Sequence, residues 1–151
     1  MAFSLGAVPQ QGAVVSASDL LAMAKAMNPV YQALASAGTT DTLSAAQMLS
    51  GVYVRSGATA AVTATTDTAT NIIAAIPNAT VGQTFLLFYA NLNTSSGAVT
   101  VAAGTGVTTG GTLTIPIAGL RVFVGTVTNI TAGSQTVYLQ SAFSVGAGVA
   151  A

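Results

Sequence analysis

Side chains able to do chemistry are scarce in this 151-residue chain: formal charge resides only on Lys25, Arg55, Arg121, Asp19, Asp41 and Asp67, and there is no histidine and no cysteine. Without those two residue types no Ser-His-Asp or Cys-His arrangement and no His/Cys metal cluster can form. Paired-carboxylate hydrolysis would need two of the three aspartates to meet. Each aspartate instead stands beside a Ser or Thr, the setting of a helix cap or turn. Lys25, within "LLAMAKAM", is conceivable as a Schiff-base lysine, but a surface lysine lying along its own apolar stem is the simpler reading. The expectation is a protein that is not an enzyme and holds no cofactor or metal.

Arg55 and Arg121 are set apart because each lies in or beside a strand otherwise poor in charge. Two readings stand side by side. One is a buried or interfacial ion pair, with Asp41 or Asp67 as partner. The other is a solvent-facing cation that discourages edge pairing. The glycine-rich "GTGVTTGG" over 104–111 fits neither a dinucleotide fingerprint nor a Walker pattern, and reads as a hairpin loop. The N-x-S/T triplets at Asn78, Asn93 and Asn129 arise readily by chance in a Thr-rich chain.

The elements that must carry these residues are apolar and nearly uncharged. Hydrophobic residues make up 52% and charged residues 4% of the chain, the formal net charge is zero, and the mean hydropathy is +0.71. Soluble domains carry about 25% charged residues, and near-zero net charge removes the repulsion that keeps molecules apart. Such a chain is better suited to an assembly than to life as a free monomer. With three cations there is no basic patch for phosphates, so no nucleic-acid partner is expected, nor electrostatic attachment to anionic lipid. The opening "MAFSLGAVPQQG" lacks a basic n-region and is a weak signal peptide at best. No apolar stretch approaches the roughly 20 residues of a spanning helix, so no membrane segment is expected.

The pattern changes near Gly51. Ahead of it an arm over 1–16 precedes short helices over 17–50: one from Asp19 to Asn28, one from Tyr31 to Ala37, and one in "TLSAAQMLSG" with Thr42 as cap. Beyond it a β-rich domain covers 51–145, with a flexible tail over 146–151. A single short helix is expected in "DTATNIIAAIPN", capped by Asp67 with Ile72, Ile73 and Ile76 inward. Strands are expected in "GVYVRSG", "TFLLFYANLN", "GAVTVAAG", "GTLTIPI", "GLRVFVGTVTNI" and "SQTVYLQSAF". Alternation sets Val99 and Val101 against Thr100, Leu113 and Ile115 against Thr112 and Thr114, and Val137 and Leu139 against Tyr138 and Gln140. Regularly spaced strands without intervening helices predict a mainly β fold, an antiparallel β-sandwich or jelly-roll-like domain.

"TFLLFYA" does not alternate. A strand apolar on both faces is covered on both, by its own domain or by another chain. Leu86 and Phe88 are expected to face the subunit's own core, leaving Phe85, Leu87 and Tyr89 on the other side.

The run from Gly51 to Leu139 resembles a β-rich module of small structural proteins of tailed phages, through "VRSG" at 54–57, "IPNATVG" at 76–82, "AAGTGVT" at 102–108 and "VTNITAGSQ" at 127–135. It is similar to capsid decoration (cement) proteins and related head or fibre components. The resemblance implies a virion protein on the capsid exterior: a trimeric β-domain seated on the major capsid protein, locking neighbouring capsomers together. It does not reach the N-terminal third. Phe3, Leu5 and Val8, in a segment able to order on binding, are the candidates there for capsid or subunit contact, with Arg55 and Arg121 in the β-rich part. The alternative is a tail-fibre, head-fibre or spike domain that recognises a host surface. A self-assembling filament is the third possibility.

Overall fold

The computed structural model describes residues 30–145. The arm with Phe3, Leu5 and Val8, the helix from Asp19 and the tail over 146–151 lie outside the described residues. Ten strands and two short helices follow in the order β1 (Val30–Ala35), β2 (Thr40–Leu43), α1 (Ala45–Leu49), β3 (Gly51–Ser56), β4 (Val62–Thr66), α2 (Ala69–Ala74), β5 (Thr84–Asn91), β6 (Val99–Ala102), β7 (Val107–Gly110), β8 (Thr114–Ile115), β9 (Gly119–Asn129) and β10 (Thr136–Val145). The protein is mainly β.

The strands form a six-stranded sheet ordered β1-β3-β5-β9-β10-β7 and a four-stranded sheet ordered β2-β4-β6-β8. From β1 to β9 the chain changes sheet at every strand. That winding overturns the antiparallel expectation. The pairs β1–β3, β3–β5, β2–β4, β4–β6 and β7–β10 are parallel, and only β5–β9, β9–β10 and β6–β8 are antiparallel. Parallel neighbours need a long crossover, usually a helix. Here the crossover is a strand of the opposite sheet, so spacing without long helices carries no information about direction.

Three local expectations also change. Tyr31–Ala37 is not a helix. "VYQALA" has helix formers, but it lies in β1, paired over six positions with β3, so tertiary pairing overrides a weak propensity. Thr42 lies in β2, and Ser44 caps α1 in a reciprocal capping box with Gln47. The expected hairpin loop "GTGVTTGG" contains β7, which pairs with β10. The change of composition at Gly51 thus falls within the sheets: β1 joins β3, and β2 joins β4. Elsewhere the spacing is followed closely. Thr68 rather than Asp67 caps α2, and Ile72 and Ile76 are buried with Ile73 packed against the core.

One hydrophobic core draws on both sheets. Leu43, Val62, Ala64, Val99, Val101 and Ile115 contribute from the four-stranded sheet, and Tyr53, Leu87, Tyr89, Phe123, Val127 and Leu139 from the six-stranded one. On β9, Gly125 lets the ring of its register partner Phe85 lie flat on the backbone, where any Cβ would overlap the ring.

Candidate interaction face and the inner polar layer

Leu87 and Tyr89 of β5 are fully buried and Phe85 packs against the core, whereas Leu86 is 51% exposed. The expected orientation of this strand is therefore reversed. Phe85 is drawn inward by Gly125, and the period of two then sends Leu86 and Phe88 to the outer side.

The register extends that outer side into a continuous apolar surface. Tyr31, Val52, Phe88, Val122 and Phe143 are successive partners across β1, β3, β5, β9 and β10. A second row runs Ala33, Val54, Ala90 and Leu120, and Leu86 pairs with Val124 beside them. Val54 and Val122 are buried, yet neither belongs to the core cluster. The outer side of this sheet is thus a contiguous set of apolar residues in register rather than a scatter of single ones. Tyr31 is 65% and Phe143 55% exposed at its two margins. Phe143 reaches this side through a break in register between Ser141 and Phe143. Strict alternation from the inward Ser141, partner of Phe123, would turn Phe143 inward; the extra residue turns it out beside Val122.

The outer side of the four-stranded sheet has the opposite chemistry. Thr40, Thr63, Thr100 and Thr114 are register partners across all four strands. All four are exposed, and the hydroxyls of Thr100 and Thr114 lie 3.2 Å apart.

Between the sheets lies a polar layer. Arg55 is fully buried on the inner side of β3. Its Nε donates to Asp41 Oδ2 at 2.6 Å, Nη1 donates to the carbonyls of Ser36 and Ser56, and Nη2 to that of Gly38. A fully buried guanidinium is costly unless its charge is matched and its donors are filled. These bonds clamp the β1–β2 loop onto β3. Arg121 is 8% exposed; Nε donates to the Thr114 carbonyl at 2.9 Å and Nη1 to Ser141 Oγ at 2.8 Å, and among the described residues it meets no carboxylate. Neither arginine is a solvent-facing strand cation.

Tyr53 and Tyr89 meet edge to face with centroids 4.9 Å apart, and among the described residues neither buried hydroxyl has a hydrogen-bond partner. Burial raises both phenols above their usual range, and the Asp41 carboxylate pushes Tyr53 further up. Asp67 accepts from Asn71 Nδ2, from the backbone N–H of Ala45 at the start of α1, and from that of Thr68, which together lower its pKa. It ties the starts of both helices together, a structural use of a carboxylate.

Sequence reasoning gave Asn91 no role and met Asn93 only as a chance N-x-S/T triplet. Asn91 Nδ2 donates to the carbonyls of Gly97, Ile115 and Pro116, its Oδ1 accepts from Asn93 Nδ2 at 2.7 Å, and Asn93 Oδ1 accepts from the Ala58 N–H. The pair knots three loops at one end of the core. The signal available was "NLN", two polar residues in step with the inward Leu87 and Tyr89.

Among the described residues no group of three His, Cys, Asp or Glu side chains gathers, and no helix is long and apolar enough to cross a membrane. What fold and surface define, among the described residues, is a mainly β protein with one hydroxyl-coated face and one apolar face. No family model matches this chain, and no curated protein or solved structure matches it either.

Proposed function

We propose that this is a structural assembly protein, of the kind that binds the outside of a phage capsid and stabilises it by bridging capsomers. Its two sheets are read as a β-sandwich of mixed strand direction, with the N-terminal residues as an attachment arm. The observation that carries the reading is the apolar outer face of the six-stranded sheet. Patches of that extent on a folded protein mark sites of contact with other protein. Stabilisation would come from shape-matched apolar contact and hydroxyl hydrogen bonds, since ion pairs are nearly absent and salt has little to screen. The resemblance over Gly51 to Leu139 supplies the capsid as partner.

The test is co-purification with particles and the copy number found there. A cement protein is present at lattice stoichiometry. A few copies per particle would support the fibre or spike reading, and absence from particles would refute both. Deleting residues 1–11 is expected to reduce capsid occupancy while the remaining chain stays folded; unchanged occupancy would remove Phe3, Leu5 and Val8 from the capsid contact.

A further inference from the structure

We infer that Arg121 is a carboxylate-binding site, its guanidinium held ready between the two sheets for an anion that the described residues do not supply.

Arg55 and Arg121 both turn inward from the six-stranded sheet, at 0% and 8% exposure, yet only Arg55 is complete. Arg55 uses Nε, Nη1 and Nη2 in four bonds, one of them to the Asp41 carboxylate. Arg121 makes two bonds, from Nε and Nη1, both to neutral acceptors. Of the five N–H groups of a guanidinium, that leaves three over, two of them on Nη2. Nη2 is not among the buried atoms without a partner, which for the described residues are the hydroxyls of Tyr53 and Tyr89, so it reaches the surface. A cation stripped of most of its water and given no opposite charge is costly. An arriving anion offsets that cost.

The fold places this open end at a step. The four-stranded sheet stops at β8, whereas the six-stranded sheet continues past β9 through β10 to β7. Thr114 on β8 and Ser141 on β10 hold Nε and Nη1 of Arg121. Gly111, in the link from β7 to β8, lies against Ser141. A fork fixed in advance loses little freedom on taking a ligand.

Charge and shape then select the ligand. A planar carboxylate matches the fork with parallel hydrogen bonds and a single charge. A phosphate group would bring nearly two charges to one guanidinium, and the other described cation, Arg55, is committed to Asp41. The described carboxylates are engaged elsewhere, Asp41 by Arg55 and Asp67 at the starts of the helices. The ligand is therefore a free small carboxylate, an Asp or Glu side chain of an assembly partner, or Asp19 of this chain.

The test uses the full-length chain isotopically labelled at its arginine nitrogens. With arginine only at 55 and 121, the magnetic resonance spectrum holds two Nε signals, and that of Arg55 is the internal control. Sodium acetate is titrated against sodium chloride at equal ionic strength. The Arg121 signal is expected to move saturably with acetate and not with chloride, while the Arg55 signal stays in place. A response that appears only after Asp19→Asn assigns Asp19 as the carboxylate already bound. Where wild type responds, particles separate the two remaining sources. Arg121→Gln lowering capsid affinity about 30-fold assigns a partner side chain, and unchanged affinity assigns a free carboxylate. Circular dichroism checks that Arg121→Gln folds; the titration decides the site without it. No response in either chain, or an equal response to chloride, overturns the inference. Absence of the protein from particles would refute the proposed function and leave the acetate result standing by itself.

Discussion

The outer row of the four-stranded sheet reads Thr40, Thr63, Thr100, Thr114, while a corresponding row of the six-stranded sheet reads Tyr31, Val52, Phe88, Val122, Phe143. Both sheets bury their inner sides in the same core, so the contrast lies in their outer sides. A β-branched hydroxyl suits a strand and keeps its contact with water. An outward Phe or Leu gains little from the subunit. The difference is one of chemistry, hydroxyl-coated on one side and apolar on the other, and the proposed function reads the apolar side as the one that meets another protein.

The sharpest way to break the comparison is to remove what holds the two sheets in register. Asp41→Ala leaves the buried Arg55 charge without its partner and is expected to cost about 3–5 kcal/mol. Urea denaturation would report it, and a loss below about 1 kcal/mol would mean that the clamp is dispensable. Next in size is Gly125→Val. The new side chain would displace the Phe85 ring, with an expected cost of about 1–3 kcal/mol. Because Phe85 sets the inward phase of β5, loss of stability should be accompanied by increased dye binding to newly exposed apolar surface.

A direct exchange of character between the faces should move stability less and solution behaviour more. Leu86→Thr is expected to shift subunit stability by no more than about 0.5 kcal/mol, as for an exposed position, while raising solubility. Thr100→Val removes the hydroxyl contact with Thr114 and should lower solubility instead. Equal solubility of the two variants would erase the distinction between the faces.

Smallest is the effect of the orphan phenols. Tyr89→Phe deletes a buried hydroxyl that has no partner among the described residues and is expected to be neutral or stabilising by about 1 kcal/mol. The pH dependence has a definite sign. Burial raises Tyr53 and Tyr89 above the ordinary value of 10.0, so their contribution is complete below about pH 10 and is lost as pH rises beyond it. Tyr89→Phe should make alkaline unfolding less steep. Asp67 is shifted down from 3.8; its contribution holds above that value and is lost as pH falls through and below it. Thermal melts between pH 2 and 12 would show both limbs.

Much of this fold was legible in the sequence where alternation is strong. Val99 and Val101, Leu113 and Ile115, and Val137 and Leu139 all turn inward with their polar neighbours outward or at the margin. Strand direction was not legible, because it depends on which sheet each strand joins, and nothing in a strand's composition encodes that. β1 was hidden by Gln32, Ala33 and Leu34, whose helix preference is weaker than pairing with β3. The interaction face was half legible: the unbroken apolar run of β5 signals two covered sides, but which side is inner is decided by Gly125, distant in the chain. The outward turn of Phe143 depends on a register break that no pattern of residues announces.

The most direct measurement is radical footprinting, read residue by residue, of the dilute isolated chain and of the assembled state. Tyr31, Leu86, Phe88 and Phe143 are expected to be oxidised readily in dilute solution and protected on assembly, while residues flanking the Thr40–Thr114 row keep their reactivity. Equal protection of both faces, or protection confined to the threonine face, would contradict the assignment of the apolar face as the one made for contact.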